Sequence, residues 1–106
     1  DEGEPTRPSY AMSKSGINAL MRHVASRWGK EGVTANAIAP GFVMTPEMIA
    51  GGGVPEDFIA QCLRGVRSTL LGKAEDIAGM AAMLPSEDGR WINGQVIRVD
   101  GGAILT

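Results

Sequence analysis

The sequence predicts an α/β fold built on a parallel sheet. Three observations predict it. Helix-period stripes of apolar residues alternate with short runs rich in β-formers. The two β-rich runs lie far apart, with helical segments between them, and parallel neighbours require such a crossover. The breaks between segments fall at Pro-Gly, Asn-Gly and Asp-Gly-Gly steps, where chains turn.

Asp1 to Pro8 carry three acidic residues, a glycine and two prolines and read as a loop leading into a helix. Pro8 and Ser9 suit a helix start, and from Tyr10 onward Ile17, Leu20, Met21, Val24, Ala25 and Trp28 recur at spacings of three and four. Gly29 and Gly32, with Arg27 and Lys30 nearby, supply the stop. Val33 to Ala39 is flanked by Gly32 and Pro40-Gly41 and reads as the first strand. Gly41 to Val54 holds four glycines and is expected to be a loop. Pro55-Glu56-Asp57 resembles the acidic first turn of a helix whose apolar face is Phe58, Ile59, Cys62, Leu63 and Val66. A further helix is expected from Ala74 to Leu84, with Ile77, Met80, Ala81 and Leu84 on one side and Pro85 ending it. After the Asn93-Gly94 turn, Gln95 to Val99 is the second strand, closed by Asp100-Gly101-Gly102. Two strands alone make a marginal sheet, so further strands are expected from another part of a longer protein, another chain or a swapped partner. A first residue that is Asp rather than Met fits the same expectation of a fragment.

Composition narrows the function classes. The chain has 106 residues and a net charge of -2 from ten Lys and Arg against twelve Asp and Glu. The basic residues are scattered singly, so no surface follows a phosphate backbone and nucleic acid is excluded as a partner. No apolar run approaches the roughly 20 residues of a membrane span, and no basic start precedes an apolar stretch, so the expectation is a cytoplasmic protein with no membrane partner. Cys62 is the sole cysteine and reads as a small buried hydrophobe. His23 is alone on its helix, so no metal site is expected.

Tyr10 and Lys14 stand four apart on the first helix, which sets a cation one turn from a phenol on the same face. A free phenol loses its proton near pH 10, and drawing that down to near 7 takes roughly 4 kcal/mol in favour of the phenolate. A unit positive charge about 4 Å away supplies roughly that amount at an effective dielectric near 20. The pair can therefore act as a general acid toward a carbonyl oxygen, or as a general base in the reverse oxidation. By itself the spacing is weak, since chance produces it in about one chain of this length in five. A surface tyrosine beside a solvated lysine is the default until the wider pattern is considered.

That wider pattern is specific. Ser9-Tyr10-Ala11-Met12-Ser13-Lys14-Ser15-Gly16 resembles the active-site helix of the short-chain dehydrogenase/reductase family. Gly32 to Thr45 resembles that family's next strand and its Pro-Gly-x-x-x-Thr turn. Ala74-Glu75-Asp76-Ile77-Ala78 resembles its Pro-Glu-Asp-Ile-Ala helix start, with Ala74 in place of the usual proline. Ile92 to Gly102 resembles its terminal strand. The motifs follow in family order and cover nearly the whole chain from Ser9 to Gly102.

The resemblance implies the C-terminal portion of a Rossmann-like doubly wound parallel sheet, with the N-terminal dinucleotide-binding half outside the chain. It implies NAD or NADP as cofactor and a small carbonyl or alcohol as substrate. Tyr10 is then the catalytic acid/base, and Lys14 assists it while holding the nicotinamide ribose hydroxyls; an oxidised nicotinamide ring would add a second positive group beside the phenol. Pro40, Gly41, Val43 and Thr45 are expected against the nicotinamide, with the Val43 backbone and the Thr45 hydroxyl meeting the carboxamide. Without the resemblance, Pro40-Gly41 is equally a plain tight turn. Residues 46 to about 67 correspond to the substrate-binding loop, with Met44, Met48, Ile49 and Phe58 as an apolar lining; ordinary core packing is at least as good a reading of Phe58. The family's Gly-rich phosphate turn, its NAD/NADP-selecting residue and its catalytic Ser have no counterpart here, and Ser9 and Ser13 are not that Ser. The resemblance also implies a homodimer or homotetramer. Two other readings stand beside it: a piece that associates without turning over, and a nucleotide-binding relative acting as a sensor.

Overall fold

The structure, a computed structural model, describes residues 8–45, 47–48, 51 and 55–105, with side chains described from Met12 on. Helix α1 spans Pro8–Trp28, beginning on the proline whose missing N–H costs nothing in a first turn. It passes into a 3-10 turn at Gly29–Glu31, closed by Gly32 at φ 86°, whose N–H donates to Gly29 O at 3.1 Å. Strand β1 is Ala37–Pro40 and the short strand β2 is Val43–Met44. Helix α2 is Glu56–Arg64, strand β3 is Gly72–Lys73, and helix α3 is Ala74–Met83. Strand β4, Val96–Val99, completes the order.

β1 pairs with β4 in parallel, with Ala37 opposite Val96 and Pro40 opposite Val99. β2 pairs with β3, also in parallel, with Val43 opposite Gly72 and Met44 opposite Lys73. Val96 and Arg98 share a groove with Arg22 of α1, whereas Val99 shares a cavity with Ile77 of α3. Side chains alternate along a strand, so α1 and α3 lie on opposite faces of the β1–β4 pair.

Three element boundaries differ from the sequence expectation, each for a physical reason. The first strand begins at Ala37 rather than Val33, because the residues before it are held by a side-chain knot. Ala35 N–H donates to Asn93 Oδ1 at 2.9 Å, Gly94 N–H to Ala35 O at 2.8 Å, and Asn36 Nδ2 to Ile92 O at 2.9 Å. Gln95 N–H in turn donates to Asn36 Oδ1 at 3.0 Å, so Gln95 belongs to this knot and the last strand starts at Val96. The expected loop after Gly41 contains β2, whose two residues are too short to show a period. Helix α3 begins as expected: the Asp76 carboxylate accepts the Lys73 N–H at 2.8 Å, which satisfies an otherwise unpaired donor at the helix start.

The core is thin. Among the described residues only Met21, Ala25 and Met44 are buried hydrophobics, and the radius of gyration is 16.3 Å. A fully compact chain of this length would measure about 13 Å. Cys62 is half-buried rather than buried. Along α1, Ile17 and Leu20 remain 58% and 63% exposed, as expected of a helix stripe that needs more sheet beneath it.

Candidate active site

The carboxyl ends of β1 and β4 converge on three glycines and one aspartate. Gly41 N–H donates to Val99 O at 3.0 Å, extending the ladder one residue past Pro40. A Cβ at Gly41 would lie 2.8 Å from both Cα and Cβ of Asp100, so only glycine permits this approach. This packing reason needs no ligand. Asp100 then folds the chain back: its Oδ1 accepts the Gly102 N–H at 2.9 Å and its Oδ2 the Ile104 N–H at 3.3 Å. Gly101 and Gly102 take φ values of 64° and 80°, where side chains are strained. In open α/β sheets this edge is where ligands bind.

Beyond Gly41 the chain enters β2. Val43 is half-buried against Gly72, where an added Cβ would come within 3.1 Å of Val43 Cγ1. Met44 is buried, and its neighbours Phe42 and Val43 line the cavity described below. Thr45 Oγ1 accepts the Met48 N–H at 3.2 Å, which fixes the hydroxyl oxygen and leaves its proton available to donate. Ile49 lies outside the described residues. Phe58 of α2 meets Phe42 edge to face, ring centroids 5.7 Å apart.

Next to this bend lies a cavity of about 420 Å³. Phe42, Val43, Cys62, Val66, Leu70 and Ile77 give it an apolar lining, while Ser68, Asp76 and Asp100 add polar atoms. Its size is that of a small-molecule pocket. Cys62, expected to be core, is in its wall. Phe42 and Asp100 are cavity-lining residues that sequence reasoning missed, and Arg67 stands behind the wall. The Asp-Gly-Gly step signalled the turn at Asp100, but nothing local signals Arg67, whose side chain bonds to carbonyls 35 and 36 residues away.

The proposed catalytic pair lies on α1. Tyr10 is in the first turns of the helix, its side chain outside those described, and Lys14 follows one turn later on the same face, exposed. Helical backbone through both positions is what the spacing argument required. Among the described residues there is no group of three His, Cys, Asp or Glu that could hold a metal ion, and no helix long and apolar enough to cross a membrane.

The family model described as enoyl-(acyl carrier protein) reductase matches residues 1–104. A 7alpha-hydroxysteroid dehydrogenase of Bacteroides fragilis is 39% identical over 98 residues, covering 91% of this chain and 36% of that protein. A 3-oxoacyl-[acyl-carrier-protein] reductase of Staphylococcus epidermidis is 33% identical over 103 residues, covering 97% of this chain and 41% of its own length. The chain belongs to the short-chain dehydrogenase/reductase family. It spans between about a third and two-fifths of the length of these curated relatives.

Solved members of the short-chain dehydrogenase/reductase family superpose on it. One from Mycobacterium ulcerans does so with a TM-score of 0.74 at 33% identity, covering 89% of this chain and 34% of that one. 4-Hydroxyisoleucine dehydrogenase complexed with NADH gives 0.75 at 26% identity, covering 95% and 40%. Further neighbours were solved with NAD+ and with NADPH. The parallel β1–β4 pair, with a helix on each face, is accordingly part of a Rossmann-like doubly wound sheet.

Proposed function

We propose that this chain carries the proton-transfer half of an NAD(P)-dependent oxidoreductase that interconverts a carbonyl and a secondary alcohol. One observation carries the reading: continuous helix through the family's Tyr-x-x-x-Lys motif, which sets Tyr10 and Lys14 one turn apart on one face of α1. The relatives are dehydrogenases and reductases, and neighbours of this fold were solved with NADH, NAD+ and NADPH.

The donors present fit the nicotinamide end of such a cofactor. Thr45 keeps a hydroxyl proton to give to an amide oxygen, because its own oxygen is engaged by Met48. Val43 stands beside the Gly41 bend at the carboxyl edge of the sheet, and Lys14 is exposed. Lys14 would hold the ribose hydroxyls, with Pro40 and Gly41 against the ring. When bound, the dinucleotide supplies or accepts the hydride. Tyr10 gives its phenolic proton to the carbonyl oxygen in reduction and takes it back in oxidation, and the Lys14 ammonium favours the phenolate that results. Replacing Tyr10 by Phe in the full-length protein should lower turnover by about a thousandfold or more while dinucleotide affinity, read by fluorescence titration with NADH and NADPH, stays within about twofold. Near-normal turnover in Tyr10→Phe would refute the reading.

We propose in addition that the full-length protein is a homodimer or homotetramer; the exposed Ile17 and Leu20 on α1 suit a second subunit or further sheet equally well. Sedimentation of the full-length protein and of its Leu20→Glu variant tests it. An unchanged assembly in the variant contradicts a second subunit on this stripe.

A further inference from the structure

The segment that follows α2 and the terminal turn lie about 35 residues apart in sequence, and two backbone bonds and one side chain fasten them together. Arg67 N–H and Ser68 N–H both donate to Gly101 O, at 3.0 and 2.9 Å. The Arg67 guanidinium Nη1 reaches further, to Gly102 O at 2.9 Å and Ala103 O at 3.2 Å. Its stem lies so close that a Cβ on Gly102 would meet Arg67 Cβ at 3.1 Å. The residues on either side of Arg67, Val66 and Ser68, line the 420 Å³ cavity on one side, and Val99, Asp100 and Gly101 line it on another. Two of the cavity's walls are thus fastened to each other by two backbone bonds, to which the Arg67 side chain adds two more. The same cavity includes Val43, the residue read above as meeting the nicotinamide.

We infer that Arg67 is a positioning residue for specificity: by fastening the Val66–Ser68 wall to the Gly101–Ala103 turn, it sets the bore of an apolar cavity that takes the aliphatic part of the substrate. This rests on the oxidoreductase reading for the word substrate, and on geometry alone for the cavity and its clamp. Arg67 donates to two successive neutral carbonyls from one planar guanidinium nitrogen, Nη1. A lysine keeps the charge but not the planar, pre-organised geometry of that nitrogen. The apolar lining selects aliphatic over polar groups, since each buried methylene favours binding by about fourfold until the bore is filled.

Cys62 in the cavity wall provides a readout that needs no turnover. In the full-length protein, the rate of Cys62 alkylation by N-ethylmaleimide is followed by peptide mass spectrometry in the presence of straight-chain primary alcohols from butanol to octanol. Wild-type Cys62 should be protected, with half-protecting concentrations falling roughly fourfold per added methylene and then levelling off. Arg67→Ala should raise the unprotected rate about tenfold and flatten the chain-length dependence, as expected when a wall keeps its backbone bonds but loses its side-chain bonds and opens more readily, and Arg67→Lys should fall between. If Arg67→Ala does not fold, Gly102→Ala presses on the same contact from the other side and should flatten the dependence as well. Absence of protection by any alcohol overturns the cavity, and an Arg67→Ala or Gly102→Ala profile matching wild type overturns the clamp. The substrate role is read separately from KM along a series of straight-chain 2-ketones: Arg67→Ala should lose the chain-length trend in KM with kcat within about twofold, and a preserved trend overturns it. A catalytic reading that is wrong shows itself as Tyr10→Phe turning over normally while the protection pattern stands.

Discussion

The two halves of α1 make an instructive contrast. Its C-terminal half is held: Met21 and Ala25 are buried, and Ala25 O accepts a hydrogen bond from Asn93 Nδ2 at 3.4 Å. Its N-terminal half, which carries Lys14, is open, with Met12 at 74% and Ile17 at 58% exposure. Within the described chain the helix is therefore anchored at the end remote from its candidate chemistry. The direction of the helix fixes where the two positions of the pair stand, and cover for the exposed Ile17 and Leu20 is expected from the rest of the full-length protein or its assembly.

The contrast can be broken at either end. The largest effect is expected at the open end: Lys14→Ala should lower kcat/KM of the full-length enzyme by between about a hundredfold and ten-thousandfold and weaken NAD(P)H binding, while urea unfolding is nearly unchanged. Unaltered affinity and turnover would remove Lys14 from the site. At the held end the effects fall on stability instead. Gly41→Ala pushes a methyl group against Asp100 and should cost about 3 kcal/mol in urea unfolding, and a cost near zero would show that the bend yields freely. Asn93→Ala strips the Ala35 N–H of its acceptor and the Ala25 carbonyl of its donor in a half-buried knot, for about 2 kcal/mol by the same measurement. The smallest effect belongs to the surface pair Arg90 and Glu87, 3.5 Å apart and largely solvated: Glu87→Ala should shift stability by less than about 0.5 kcal/mol, and a larger loss would give the 3-10 turn Glu87–Gly89 an unrecognised role.

Much of this architecture was legible in the sequence, and what was not has a common cause. Helix-period stripes located α1, α2 and α3 within a few residues, because amphipathic spacing is written locally. The Asp-Gly-Gly step announced a turn whose glycines do take positive φ. The β2–β3 pair was invisible, since two residues carry no period and their pairing joins positions nearly thirty apart. The first strand was drawn four residues early because Val33 and Thr34 favour strands, while the Asn36–Asn93 knot that overrides them is a tertiary feature. The same holds at the site. Tyr10, Lys14, Pro40 and Thr45 come from contiguous motifs, whereas Phe42, Cys62 and Arg67 matter only because remote segments meet around one cavity.

The most direct test of the central claim is a crystal structure of the full-length protein with NAD(P)H and a substrate analogue. It should place Lys14 Nζ about 3 Å from the ribose hydroxyls and the Tyr10 phenol at the same distance from the analogue's oxygen, on the side of Pro40-Gly41. Tyr10 and Lys14 found in solvent, with the nicotinamide bound elsewhere, would contradict it.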